Sequence, residues 1–161
     1  MNNNEAHKTN AARILDSMGI SYALHSYDVD ESDLSAVHAA MMLGAEPYSV
    51  FKTLTARTDK RETCMFCIPG PAELDLKKAA KASGCKSLEM VPLKELFALT
   101  GYLRGGCSPI GAKKPYPVYV DELAFAFDTV FVSAGRRGMN FELKPDELVR
   151  ATEATVADLC R

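Results

Sequence analysis

The sequence predicts an α/β protein of the α+β type, in which a mixed, barrel-like β-sheet is flanked by short helices. Apolar runs of strand length are interleaved with short helical segments at spacings too tight for a regular series of parallel crossover units. Two of those runs, residues 50–57 and 63–68, are joined only by the polar turn Thr58-Asp59-Lys60-Arg61-Glu62 and read as a hairpin. No internal repeat, linker or low-complexity block divides the chain, so residues 1–161 read as one domain, with residues 1–8 as a flexible extension.

Taken in order, a first helix is predicted from Thr9 to Met18, with Thr9 as N-cap, Ile14 and Leu15 on the apolar face and Gly19 as the stop. An extended run follows from Ile20 to Tyr27. Asp33 is placed to cap a second helix through Leu43, which Gly44 ends. After the hairpin, Asp75 to Ser83 reads as a helix stopped by Gly84, Ser87 to Val91 as a strand, and Pro92 to Leu99 as a helix with Pro in its first turn. Beyond a Gly-rich loop, Val118–Asp121, Thr129–Ser133 and Asn140–Leu143 are extended apolar runs. Pro145 to Ala151 closes the series as a helix with acidic residues at its positive end.

Composition narrows the functional classes. A chain of 161 residues buries roughly 70% of its unfolded surface and needs no metal or disulfide to fold. With 47% apolar and 25% charged residues, it contains no stretch near the roughly 20 apolar residues of a membrane span, and a cytoplasmic location is expected. A net charge of -2 is unlike a protein that grips nucleic acid unaided, although Lys77, Lys78 and Lys81, Lys113 and Lys114, and Arg136 and Arg137 form local basic clusters. The five cysteines are scattered and odd in number, and they are expected to be reduced. Cys64 and Cys67 have metal-site spacing, but in a strand an odd offset sends them to opposite faces, so no zinc or redox pair is expected.

The chemistry concentrates in Gly101-Tyr102-Leu103-Arg104-Gly105-Gly106-Cys107-Ser108-Pro109-Ile110-Gly111-Ala112-Lys113-Lys114. Gly105 and Gly106 leave room for a ligand against the main chain, where their N–H groups can meet a carbonyl or phosphate oxygen, and Ser108 adds a hydroxyl. The alternative is a plain Gly-rich connection. A nucleotide P-loop fails, because Ala112-Lys113-Lys114 stands where Lys and then Ser or Thr belong. Lys52 shares a strand face with Val50 and Leu54: either it protrudes into a cleft and holds an anion, or its ammonium simply reaches water. Ser133-Ala134-Gly135-Arg136-Arg137-Gly138 is either a second ligand-facing turn or a tight turn with exposed arginines. His7, His25 and His38 lie far apart with no nearby Asp or Ser, so no histidine relay is expected. The residues by themselves yield a cleft for an anionic substrate without a visible reaction.

Phe51-Lys52-Thr53, the run from Gly101 to Gly111 and the run from Ser133 to Gly138, in that order, resemble the YbaK family of bacterial aminoacyl-tRNA deacylases. The match extends from about Thr9 to the C-terminus and includes His25-Ser26-Tyr27 and Leu76-Lys77-Lys78-Ala79-Ala80-Lys81. Within a wider group that includes the editing domain inserted in bacterial prolyl-tRNA synthetases, the resemblance is to the free-standing branch. It implies hydrolysis of cysteine from mischarged tRNA(Pro), assisted by the substrate's own thiol, with no cofactor or metal and with prolyl-tRNA synthetase as partner. It further implies that Lys52 holds the CCA end and that the Gly105 backbone orients the ester carbonyl. Tyr27, Phe51, Thr53, Gly106, Ser108, Ser133, Gly135 and Asn140 are the implied substrate-binding residues. Cys107 departs from the branched aliphatic residue expected there, which leaves open a protein nucleophile or a small pocket-wall residue. A deacylase for another small aminoacyl group and a non-catalytic tRNA- or synthetase-binding module are the alternative functions.

Overall fold

Local capping sets most helix limits where the sequence puts them. The Thr9 hydroxyl accepts the Ala12 N–H at 3.2 Å and starts helix α1 (Asn10–Ser17), which buries Ala11, Ala12 and Leu15. Helix α2 (Ala36–Leu43) ends at Gly44 in the left-handed region, but its cap is Ser35, whose hydroxyl accepts the His38 N–H. The expected cap, Asp33, acts one step earlier: its carboxylate accepts from the Ser35 N–H at 3.1 Å and the Ser35 hydroxyl at 2.6 Å. Asp75 caps α3 (Leu76–Ser83), and Gly84 ends it. The helix expected from Pro92 opens instead as a 3-10 turn, Leu93–Glu95, and becomes α4 (Leu96–Thr100) only afterwards. Helix α5 (Pro145–Thr152) begins with Pro145 and carries Asp146 and Glu147 in its first turn. This computed structural model describes residues 8–161, so the expected extension, apart from Lys8, lies outside the described residues.

The strands are β1 (Ala23–Ser26), β2 (Phe51–Thr58), β3 (Thr63–Pro69), β4 (Leu88–Met90), β5 (Val118–Asp121), β6 (Val130–Ser133), β7 (Met139–Leu143) and β8 (Thr155–Ala157). They form two sheets flanked by helices, in keeping with the α+β class read from the sequence, and do not close into a barrel. The smaller has the antiparallel order β1-β7-β6, and the larger has the mixed order β4-β2-β3-β5-β8, with β3-β5 and β5-β8 parallel. A parallel bridge between Val50 and Phe131 joins them. The 50–69 hairpin forms in the expected register, Phe51 facing Pro69 and Arg57 facing Thr63.

The principal core fills the space between the sheets and beneath α1 and α5, with Leu15, Phe51, Met65, Cys67, Val120, Val132, Phe141 and Leu148. Helix α3 covers the opposite face of the larger sheet through Ala79 and Ala80, over Ala56, Cys64, Phe66 and Ile68. Cys64 and Cys67 thus enter separate cores, as the strand alternation predicts. A third, smaller cluster packs Ala39 and Ala40 of α2 on Val50. The sequence reading lacked the 3-10 turn Pro47–Ser49, and it lacked two elements near the end of the larger sheet: β8, and the 3-10 turn Glu122–Ala126 that follows β5. Both depend on Asp121, 1% exposed, whose carboxylate accepts from the Leu123 N–H at 3.0 Å and the Leu159 N–H at 2.9 Å.

Gly138 closes the β6–β7 turn at φ +76, and a Cβ there would meet the Tyr27 carbonyl oxygen at 2.6 Å. Gly138→Ala is expected to cost roughly 1–3 kcal/mol in chemical denaturation, since both strain and a backbone clash result. On the smaller sheet, Glu142 accepts from the Thr129 hydroxyl at 2.6 Å and pairs with His25 Nε2 at 2.9 Å. The Thr129 bond first, and then His25, hold its carboxyl below the ordinary 4.5. That stability is fully present above the ordinary value and is lost as pH falls through the lowered one. Glu142→Gln should therefore be less stable than wild type in melts at about pH 7, with the deficit shrinking as pH falls below the ordinary carboxylate range and through the lowered value.

Candidate active site at the open edge of the second strand

On one edge β2 is paired along its length with β3; on the other its partners are interrupted. Strand β4 pairs only with Ala56, Arg57 and Thr58, and the bridge to Phe131 lies at Val50. The Thr55 carbonyl accepts the Val91 N–H on that outer edge at 3.0 Å. The period-two alternation turns the N–H and C=O of Thr53 the same way, into the gap. A cavity of about 370 Å³ wraps this stretch of edge.

Three loops complete the wall. The N-terminal end of α2 supplies Leu34, Ser35, Ala36 and Ala39, brought close because Gly70 carries no side chain: a Cβ there would meet Ala36 Cβ at 2.8 Å. The 101–114 loop supplies Arg104, Gly105 and Cys107, and the segment from Met90 to Leu96 closes the far side. Gly105, at φ +82, passes Leu34 so closely that a Cβ would lie 3.0 Å from Leu34 Cβ. The smaller sheet contributes Ser133 and Asn140, with Tyr27 just beyond β1.

Of the residues singled out in the sequence, Tyr27, Phe51, Lys52, Thr53, Gly105, Ser133 and Asn140 lie together on the cavity wall. Gly106, Ser108 and Gly135 lie behind it. The Gly106 N–H is taken by the Leu103 carbonyl at 2.9 Å, so it does not point at a ligand as the glycine pair suggested. A Cβ at Gly106 would press on the Arg137 nitrogen at 3.0 Å, so this glycine lets the two Gly turns pack backbone to backbone. Ser108 is fully buried, and its hydroxyl accepts the Ile110 N–H. The Ser133 hydroxyl accepts the Gly135 N–H, and Arg137 Nε donates to the Arg104 carbonyl at 2.8 Å, tying the two turns together.

Burial sets the electrostatics of the wall. The Lys52 ammonium donates to the Gly70 carbonyl at 2.9 Å, and desolvation holds its pKa below the ordinary lysine value, against the opposing pull of Cys160 and Glu73. Burial raises the Tyr27 phenol, opposed by a hydrogen bond with Asn140. The Cys107 thiol is pushed up to about 11 by desolvation, opposed by the Thr55 and Thr100 hydroxyls. A thiol so raised is a poor nucleophile at neutral pH. The histidines differ from the sequence reading, since two of them do find carboxylates: His25 meets Glu142, and His38 Nδ1 lies 3.8 Å from Asp33. Neither is on the cavity wall, and His7 lies outside the described residues. Among the described residues no cluster of His, Cys, Asp and Glu is suited to a metal ion, and no helix is long and apolar enough to cross a membrane.

Sequence reasoning missed the α2 wall, Thr55 and the Met90–Leu96 segment. Only Thr55 carried a signal, as the next residue on the face shared by Phe51 and Thr53.

Comparison with known proteins adds to this geometry. The chain is 45% identical over 152 residues, 94% of its length and 93% of the other's, to EbsC of Enterococcus faecalis, named for Cys-tRNA(Pro)/Cys-tRNA(Cys) deacylation. A solved structure described as a trans-editing enzyme for prolyl-tRNA synthetase superposes with a TM-score of 0.79 at 30% identity, over 95% of this chain and 98% of that one. A proline–tRNA ligase of Shouchella clausii is 29% identical over 103 residues, 64% of this chain and 18% of the ligase. The family model for the aminoacyl-tRNA editing domain matches residues 31–151, which takes in α2, the hairpin, both Gly turns and the whole cavity wall apart from Tyr27. The chain belongs to the aminoacyl-tRNA editing domain family.

Proposed function

We propose that this chain is a trans-editing deacylase that hydrolyses the ester of cysteine mischarged to tRNA(Pro). The observation that carries this reading is the convergence of Lys52 and Gly105 on one cavity whose cysteine, Cys107, is held protonated. A volume of about 370 Å³ suits an aminoacyl group and part of a nucleoside, and excludes the folded body of a tRNA.

In this mechanism the protein positions and the substrate reacts. The Lys52 ammonium holds a phosphate of the CCA end; desolvated at a half-buried site, it binds an anion more strongly than a surface lysine would. The Gly105 backbone orients the ester carbonyl, and Tyr27, Phe51, Thr53, Ser133 and Asn140 shape the pocket around the aminoacyl group. The substrate's own thiol gives up its proton and attacks its carbonyl, the bond from that carbonyl to the ribose oxygen breaks, and the ribose oxygen leaves with a proton. Water then opens the sulfur-acylated product to free cysteine. Gly106, Ser108 and Gly135 serve the site by holding the two turns in register. With a net charge of -2, affinity for tRNA alone is weak, and prolyl-tRNA synthetase supplies tRNA selection in the cytoplasm.

Single-turnover hydrolysis of Cys-tRNA(Pro), with Pro-tRNA(Pro) and Ala-tRNA(Pro) for comparison, tests the reading. Wild type should clear the cysteinyl ester selectively, Lys52→Ala should be slower by roughly 10- to 100-fold, the loss of one charged hydrogen bond, and Cys107→Ala should retain hydrolysis. Sparing of Cys-tRNA(Pro) by wild type, with synthetase added, would refute it. Binding to tRNA alone should weaken steeply between about 50 and 200 mM salt, and tight binding at low salt would contradict the need for a synthetase partner.

A further inference from the structure

The floor of the cavity carries a polar group that the mechanism above does not use. Thr55 is 4% exposed, and among the described residues its Oγ1 makes no hydrogen bond of good geometry, although the Cys107 thiol lies near enough to feel the hydroxyl. On β2 it follows Phe51 and Thr53 on one face, and like them it lines the cavity. Its neighbour on the loop side is Cys107, 9% exposed and likewise on the wall. Burial gives the cavity a direction: Arg104 and Gly105 are exposed at the rim, Lys52 and Thr53 are intermediate, and Thr55 and Cys107, like Val50 and Phe51, are buried. A buried hydroxyl is ordinarily bonded, and one left unpaired on a cavity floor is a group arranged for something that enters.

We propose that the Thr55 hydroxyl is the specificity contact for the aminoacyl side chain, donating a hydrogen bond to the sulfur of a cysteinyl group. This rests on the deacylase reading, and it adds to that reading a residue that selects by chemistry where size alone discriminates poorly. A side chain with a methyl in place of the thiol fills almost the same space but leaves the hydroxyl unpaired. Cys107 completes the subsite as a small, protonated wall that adds no charge beside the substrate sulfur.

Binding, separated from hydrolysis, tests this. The probes are 3′-amino-3′-deoxyadenosine carrying cysteine or 2-aminobutyrate in a non-hydrolysable amide link, titrated into wild type, Thr55→Val and Thr55→Ser. Wild type should bind the cysteinyl compound roughly 5- to 10-fold more tightly than its methyl isostere, Thr55→Val should bind the two equally, and Thr55→Ser should restore the preference. An unchanged ratio in Thr55→Val, no preference in wild type, or no binding of either probe to wild type would overturn the proposal. Matched melting of the variants separates a lost contact from a lost fold. Discrimination between the probes by a wild type that spares Cys-tRNA(Pro) would leave the subsite standing and refute only the deacylase reading.

Discussion

The interrupted pairing of β2 is the constraint on which the rest of the molecule is built. A strand hydrogen-bonded on both edges offers a ligand only side chains, whereas one left bare over a few residues offers backbone donors and acceptors fixed by its neighbours. Here β3 holds one edge throughout, while β4 and the Val50–Phe131 bridge clamp the two ends of the other. The bare interval cannot slip in register or move away from the loops that face it. This also explains why the strands divide into two sheets: closure into a barrel would have filled the gap with another strand.

The loops facing that edge are held by close backbone approach. Gly70 admits α2 to the hairpin, Gly106 seats one Gly turn against the Arg136–Arg137 backbone, and Gly135 lies where a Cβ would come within 2.9 Å of the Tyr102 ring. These contacts tolerate no added methyl group, so the distance between the loops and the sheet is fixed by sterics and owes little to surface ion pairs. The charge on Lys52 is treated in the same way: one carbonyl and partial burial define its position, and among the described residues no carboxylate is hydrogen-bonded to it to compete with an incoming anion.

Much of this was legible in the sequence because it is local. Thr9, Asp75, Gly44 and Gly84 state helix limits through capping chemistry that needs only a few neighbouring residues. The hairpin and the opposite facing of Cys64 and Cys67 follow from strand alternation alone. Seven of the ten site residues that the family resemblance implies share one wall. What escaped depends on tertiary partners. The division into two sheets turns on a single bridge, β8 is three residues long and exists by pairing with β5, and Ser35 outcompetes Asp33 for a cap two residues away. Gly106 and Ser108 sit in the same motif as Gly105, and only the fold of the loop separates the residue at the surface from those turned inward.

Asp121 has a consequence for how the molecule opens. A strand as short and as late in the chain as β8 would ordinarily fray, exchanging its amides with solvent independently of the core. The buried Asp121 carboxyl group opposes this, because release of the Leu159 N–H leaves a polar group in an apolar setting short of a partner. Leu159 and Cys160 also close the core beneath α3, and Leu74 bridges to Cys160. The C-terminal segment therefore opens together with the larger sheet or hardly at all, and that sheet behaves as one cooperative unit even though its strands are drawn from both halves of the chain.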